Sequence, residues 1–272
     1  MNPHLNTLMA KTDEIMAGAV KPNGYYRGPV HVGVDLGTAY TVLVVLDEYK
    51  QPIAGSYQFA RVVRDGLVVD FDGAVRLLSE LKKNVERYLG FELVSAASGY
   101  PPGVPQAEIR ATAYVLNAAG LECIDIIDEP SAANNVLQIS DGVIVDIGGG
   151  TTGIAVVKNR QVVYTVDEPT GGTHFSLVIA GAKNLTFEQA EEIKKDPKQQ
   201  QSLFPLIRPV MEKVASIIQR HVEGHTIPTI YLVGGTSAYS GITKVIEEYT
   251  GINTVVPTSP LFVTPIGIAM YN

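Results

Sequence analysis

The chain has 272 residues, 46% of them hydrophobic and 18% charged, with a formal net charge of −7 and one cysteine. That length and apolar content suffice for a sizeable core and exclude a disordered chain. The acidic balance and the lack of any Lys/Arg run exclude a general nucleic-acid binder and an anionic membrane surface as partners, because both require a basic patch.

A lone Cys123 excludes an internal disulfide and a cysteine-rich zinc site. Within Leu121-Glu122-Cys123-Ile124 it reads as a small buried hydrophobe, in keeping with a reducing cytoplasm. Lys11, Asp13 and Glu14 interrupt any apolar signal region, and no stretch reaches the roughly 18 apolar residues of a membrane span. A soluble cytoplasmic protein is expected.

In chain order, residues 5–20 carry Leu5, Leu8, Met9, Ile15, Met16 and Ala19 at near-helical spacing, which predicts a short amphipathic helix. Lys21-Pro22-Asn23-Gly24 breaks it. We read residues 1–29 as an extension outside the main fold. Packing on the body and docking to another protein both stay open for this helix.

Val30 to Asp35 is a strand ending at an aspartate. Leu36-Gly37-Thr38-Ala39 turns the chain, a second strand runs from Tyr40 to Leu46, and a third covers Ile53 to Phe59. These three form an antiparallel meander. Arg61–Val63 and Leu67–Phe71 are extended pieces about the hairpin signal Asp65-Gly66. A helix with Val75, Leu77, Leu78, Leu81, Val85, Tyr88 and Leu89 on one side stops at Gly90. Leu93–Ser98 is a strand, 105–119 a helix, and Cys123–Ile127 a strand. Asp128-Glu129-Pro130 then starts a further helix, with proline in its first turn.

Here the pattern restarts. Val143-Ile144-Val145-Asp146-Ile147-Gly148 repeats Val32-Gly33-Val34-Asp35-Leu36-Gly37, and Thr152-Gly153-Ile154-Ala155-Val156 repeats Thr41-Val42-Leu43-Val44-Val45 at the same spacing. A strand over Gln161–Asp167 completes a second meander. Helices at roughly 175–183, 186–195 and 203–222 lead to a strand, Thr229–Val233, which ends at Gly234-Gly235-Thr236-Ser237. Thr264-Pro265-Ile266-Gly267-Ile268-Ala269 is similar to Glu129-Pro130-Ser131-Ala132-Ala133. The duplication predicts two α/β halves: residues 30–141, with 264–272 returning to the first half, and residues 142–263. It places a ligand in the crevice between them.

The repeated turns suit phosphate. Glycines let the backbone approach a ligand, successive amides make an anion-binding concavity, and threonine hydroxyls add donors. Gly37, Thr38, Thr41, Gly148, Gly149, Gly150, Thr151 and Thr152 are the candidate binders. Asp35 and Asp146 cannot bind phosphate directly, since like charges repel. They fit a hydrated Mg²⁺ that bridges carboxylates and phosphates. Gly234-Gly235-Thr236-Ser237 suits close approach to a purine or ribose, or is a plain strand-to-helix turn.

These motifs resemble the actin, Hsp70 and sugar kinase superfamily over about residues 30–272. Asp35–Thr41 and Asp146–Thr152 look like its two phosphate motifs, Ile127–Asn134 and Thr264–Met270 its connecting motifs, and Leu232–Ser237 its adenosine motif. The resemblance implies a duplicated actin/Hsp70-like α/β ATPase fold, two halves flanking a nucleotide cleft, with ATP and Mg²⁺ as cofactors. It implies that Glu129 positions the attacking water, with a helix cap as the plainer alternative. Gly171 and Gly172 are similar to a glycine pair before a cleft helix. Glu191 and Lys194, on one helical face, are similar to an adenosine-contacting pair of the bacterial actins, or form a solvated surface pair. Gly267 and Ala132 are expected to let two connecting helices cross closely.

Within the superfamily the chain resembles the ethanolamine utilization protein J family. That resemblance implies an Hsp70-like chaperone or assembly factor acting as a slow Mg·ATP-dependent conformational switch. Its client would be ethanolamine ammonia-lyase or a component of a bacterial microcompartment, with which the protein would associate in the cytoplasm. The chain departs from Hsp70 in leaving no residues for a peptide-binding domain, and its inserted subdomains are reduced to about Arg61–Gly90 and 184–205. A non-hydrolysing nucleotide-binding scaffold and a small-molecule kinase stay open as alternatives.

Overall fold

A computed structural model describes residues 3–18, 26–64 and 66–271. The chain divides into two units, Met1–Gln138 with Pro257–Asn272, and Ile139–Val256. These divisions, at 138/139 and 256/257, both precede the expected boundaries at 141/142 and 263/264, the second by residues 257–263, which stay with the first unit.

The first unit opens with helix α1 (Pro3–Met16), followed by strands β1 (His31–Leu36), β2 (Tyr40–Leu46) and β3 (Pro52–Phe59). Leu5, Leu8, Met9 and Ile15 of α1 are buried. A Cβ on Gly55 of β3 would lie 2.6 Å from Met16 Sδ, so this glycine makes room for the helix. The reading of residues 1–29 as an extension outside the fold is corrected for α1: its apolar stripe has a partner in β3, and burying it is favourable at about 25 cal/mol per Å². Residues 19–25, with the breaker predicted there, lie outside the described residues.

A small hairpin, β4 (Val63–Arg64) and β5 (Leu67–Val68), follows; Asp65 lies outside the described residues. Helix α2 (Phe71–Leu89) is capped by the Asp70 carboxylate, which accepts the Gly73 amide at 2.8 Å, and stops at Gly90, where φ is 82°. Its buried side is Ala74, Leu77, Leu78, Leu81, Lys82, Val85 and Leu89, a helical repeat. Then come β6 (Ser95–Tyr100), α3 (Gln106–Ala118), β7 (Glu122–Asp128) and α4 (Glu129–Leu137). The sheet order is β3-β2-β1-β6-β7.

The second unit repeats this plan with β8 (Gly142–Ile147), β9 (Thr152–Lys158), β10 (Gln161–Glu168), α5 (Gly172–Lys183), α6 (Phe187–Lys195), α7 (Pro197–Val222), β11 (Ile230–Val233), α8 (Ile242–Thr250) and β12 (Thr254–Val255). Its order, β10-β9-β8-β11-β12, is that of the first sheet. Helix α7 starts earlier than its apolar repeat predicts, because Asp196 caps it by accepting the Lys198 amide at 3.0 Å and Pro197 suits the first turn. Pro205 and Pro209 lie inside α7 on its exposed side, where water can reach the carbonyls they leave unpaired. Helix α8 and strand β12 are too short to leave a periodic signal in the sequence; α8 buries Ile242, Val245 and Ile246.

Helix α9 (Val263–Tyr271) returns to the first unit. It passes so close to β1 that a Cβ on Gly33 would lie 2.6 Å from both the Ala269 nitrogen and the Pro265 oxygen. Among the described residues no helix is long and apolar enough to cross a membrane.

Candidate functional site

In the first unit β1, β6 and β7 run parallel, with Val34 beside Ser98 and Tyr100 beside Asp128. Asp35, Tyr100 and Glu129 therefore stand at one edge of the sheet, beyond the carboxyl ends of its parallel strands, where ligands of α/β sheets bind. The Ser98 hydroxyl, buried, donates to the Val34 carbonyl at 2.9 Å and fixes β1 against β6. Burial, with the charge of Asp128 adding to it, pushes the Tyr100 phenol up.

The first turn is closed by the Gly37 amide, which donates to the Tyr40 carbonyl at 3.0 Å. A Cβ on Gly37 would lie 2.8 Å from that carbonyl, so the turn needs glycine. Asp35 pairs with Val42, and Leu36 with Thr41. Thr41 is 1% exposed, and its hydroxyl has no hydrogen-bond partner among the described residues. Thr38 is half-buried in the turn.

Glu129 is the first residue of α4. Asp128 caps that helix instead, its carboxylate accepting the Ser131 amide at 2.9 Å. The plainer reading of Glu129 as a cap is thereby set aside, and its side chain extends past Gly99.

In the second unit the same turn recurs: the Gly148 amide donates to the Thr151 carbonyl at 3.0 Å, Asp146 pairs with Gly153, and Ile147 with Thr152. This turn is held much more firmly. The Gly172 amide donates to the Gly148 carbonyl at 2.9 Å and the Thr173 amide to the Gly149 carbonyl at 2.8 Å, while the Thr236 hydroxyl reaches the same Gly148 carbonyl at 2.7 Å. The Thr152 hydroxyl, buried, donates to the Thr170 carbonyl at 2.5 Å. These bonds do not use the amides of Gly149, Gly150 and Thr151, the groups that a phosphate-binding concavity requires.

Several glycines are explained by protein atoms. A Cβ on Gly234, where φ is 83°, would overlap the Asp146 carboxylate and lie 2.7 Å from the Ile147 carbonyl. One on Gly171 would lie 2.8 Å from the carbonyls of Gly148 and Gly149, and one on Gly172 would strike the Thr236 hydroxyl. The glycines thus let α5 and the β11 end close on the turn. Gly235, Thr236 and Ser237 form a 3₁₀ turn, Gly235–Ala238, with the Ser237 hydroxyl committed to the Val233 carbonyl at 2.5 Å.

Glu191 and Lys194 of α6 form a buried ion pair at 2.6 Å, not a solvated surface one. The Ser176 hydroxyl of α5 donates to Glu191 at 2.5 Å, and Lys194 donates to the Gly172 carbonyl at 3.1 Å. Burial holds the Lys194 ammonium below its ordinary range, with the Glu191 charge opposing that shift. The pair anchors α6 to the glycine turn from which α5 starts.

This duplicated arrangement agrees with the comparisons to known proteins. The chain is 41% identical over 242 residues to the ethanolamine utilization protein EutJ of Salmonella typhimurium, a match covering 89% of this chain and 85% of that one. The crystal structure of EutJ from Carboxydothermus hydrogenoformans superposes with a TM-score of 0.94 at 44% identity, covering 99% of this chain and 98% of that one. The chain belongs to the EutJ family. A family model described as type IV pilus assembly protein PilM matches residues 113–263. MreB5 of Spiroplasma citri bound to AMPPNP shares the fold, with a TM-score of 0.73 at 16% identity over 91% of this chain and 97% of that one. The EutJ chain is thus an α/β protein of the actin/Hsp70-like ATPase fold.

The structure adds one candidate to the EutJ turns. Asp146 pairs with Gly153, which pairs with Asp167 of β10. With no side chain between them, the two aspartates flank Gly153: a Cβ there would be 3.8 Å from Asp146 Cβ and 3.6 Å from Asp167 Oδ1. Asp167 lies inside β10, one residue before its end, and opens no glycine turn, so no motif marks it; the strand register is the signal that finds it. Among the described residues no three His, Cys, Asp or Glu side chains gather into a metal-binding group. A cation here would therefore be held largely by water and phosphate, which is the habit of Mg²⁺.

Proposed function

We propose that this EutJ protein binds Mg·ATP through its two aspartate-led turns and works as a slow nucleotide-dependent conformational switch in ethanolamine utilization. The observation that carries the reading is the duplicated turn itself. In both units an aspartate stands one residue before the end of a strand that has a parallel neighbour, and a glycine amide closes the following turn at 3.0 Å. Chance hairpins do not share strand order, register and hydrogen bond.

The residues present fit such a cofactor. In each unit the glycine-containing turn offers amides to phosphate, and the aspartate at the strand end suits a hydrated Mg²⁺. Bound Mg²⁺ would supply charge neutralisation at the phosphates. The buried hydroxyl of Thr41 is a donor still to be satisfied in the first turn. Glu129 at the same sheet edge orients water. Helix α4, which starts at Glu129, carries the nucleotide state to α9, which it crosses at Gly267. The MreB5 relative with bound AMPPNP supports a nucleotide as the ligand.

The output we propose is an Hsp70-like chaperone or assembly role towards a protein of the ethanolamine pathway or its microcompartment. Calorimetry with Mg·ATP tests the ligand: Asp146→Ala and Asp35→Ala should each abolish binding, and unchanged affinity overturns the reading. Phosphate release tests the switch. Glu129→Gln should keep affinity and lose release, whereas a wild type with no release above background is a scaffold that binds without hydrolysis.

A further inference from the structure

Helix α5 starts directly on the glycine turn of the second unit. The Gly172 amide is spent on the Gly148 carbonyl at 2.9 Å and the Thr173 amide on the Gly149 carbonyl at 2.8 Å. The His174 amide is spent on the Gly171 carbonyl at 3.0 Å. The first amides of α5 thus serve the protein, so a group of this helix start that meets a ligand must be a side chain.

His174 stands at the third position of α5 and is exposed. Its Nδ1 accepts the Gly171 amide at 3.3 Å. A backbone amide can only donate, so Nδ1 carries the lone pair, and in the neutral ring Nε2 carries the proton. Among the described residues Nε2 has no hydrogen-bond partner. Gly171 in turn lies against the turn, since an added Cβ there would be 2.8 Å from the carbonyl oxygens of Gly148 and Gly149. The ring is pinned beside the turn by one nitrogen and keeps an unused N–H on the other.

The choice of residue is informative. Glutamate or glutamine is usual at the third position, because either accepts the amide that opens the helix. Glutamate would add a charge that suits the positive end of the helix. It would also set that charge beside a turn suited to an anion. Histidine makes the same capping bond without a negative charge and retains a donor. The helix gains nothing from that exchange, whereas an anionic ligand on the turn does.

We infer that His174 is a nucleotide contact, its Nε2–H donating to a phosphate oxygen held on the turn from Gly148 to Thr151. This assignment rests on the nucleotide reading of that turn, and it adds the residue by which the site favours phosphate.

Calorimetry with Mg·ATP and nucleotide-free thermal melts, on the full chain, compare wild type with three variants. His174→Gln keeps the cap and an N–H donor, and should bind within threefold of wild type. His174→Ala lacks both and should bind at least tenfold more weakly. His174→Glu keeps the cap, should melt at or above wild type, and should also bind at least tenfold more weakly. Loss in the glutamate variant alone, with alanine binding as wild type, means a ring near phosphate that does not touch it, and overturns the assignment. Loss in the alanine variant alone, with its melt lowered, means a helix cap and overturns it too. Binding in wild type with all three variants unchanged removes this inference and leaves the Mg·ATP reading standing. A wild type that takes up no Mg·ATP removes both.

Discussion

Gly267 of α9 lies against the backbone carbonyl of Ala132 in α4, so close that a Cβ on the glycine would overlap the oxygen. Backbone atoms cannot rotate away as a side chain can. The contact therefore fixes how the two helices cross.

Gly267→Ala should destabilise the first unit by about 3 kcal/mol or more, since overpacking against backbone forces helices apart. Gly181 of α5 is the matched control, with nothing within 4 Å of its added Cβ. Gly181→Ala should stabilise by about 0.5–1 kcal/mol through helix propensity. Urea unfolding of both variants measures the difference in sign.

Thr41 and Thr152 occupy equivalent places after their turns but differ in partner. Thr152→Val removes the donor to the Thr170 carbonyl and should cost about 1–3 kcal/mol. Thr41→Val removes a buried hydroxyl without a partner, and should leave the nucleotide-free melting temperature unchanged or raised. The same variant should reduce the melting shift produced by Mg·ATP. A Thr41→Val protein that melts well below wild type without nucleotide contradicts this account.

Glu191→Ala would leave the Lys194 ammonium buried with the Gly172 carbonyl and should cost about 3–5 kcal/mol. The alkaline behaviour follows from the sign of the shift. Lys194 titrates below its ordinary value in the folded state, so the unfolded chain binds more protons between that lowered value and about 10.4. Stability contributed by this group rises with pH in that window, because burial ceases to penalise a charge. Relative to Lys194→Met, wild type should gain stability there. Paired thermal melts at neutral and alkaline pH test it.

Glu168 carries linkage of the same sign in the acid range, because its carboxyl too titrates lower in the folded chain. The hydrogen bond from His221 at 2.8 Å, aided by the Arg220 charge, holds its carboxyl below the ordinary range. That contribution is present above the ordinary glutamate value of about 4.3 and is lost as pH falls through the lowered folded value. His221→Ala should flatten the acid limb of the stability profile. An unchanged limb means the bond carries no linkage.

The repeat of an aspartate-ended strand, a glycine turn and a returning strand was legible without coordinates, because strand alternation and turn chemistry are local. It determined the duplicated α/β plan, the two turns and the place of Glu129 at a helix start. The closeness of Gly267 to Ala132 was expected from the resemblance of their segments to connecting motifs, and a glycine permits such a crossing.

Element ends were read less well. Asp196 and Pro197 carried α7 past its apolar repeat, and α8 and β12 are too short for a periodic signal. The role of α1 could not be read at all: an amphipathic stripe says that a face is buried, not what covers it, and Met16 against Gly55 answers that only in three dimensions. The burial of Glu191 and Lys194, the row from Asp146 to Asp167 and the difference between Thr41 and Thr152 depend on strand register and helix docking. Those bring together residues far apart in the chain, so tertiary structure alone decided them.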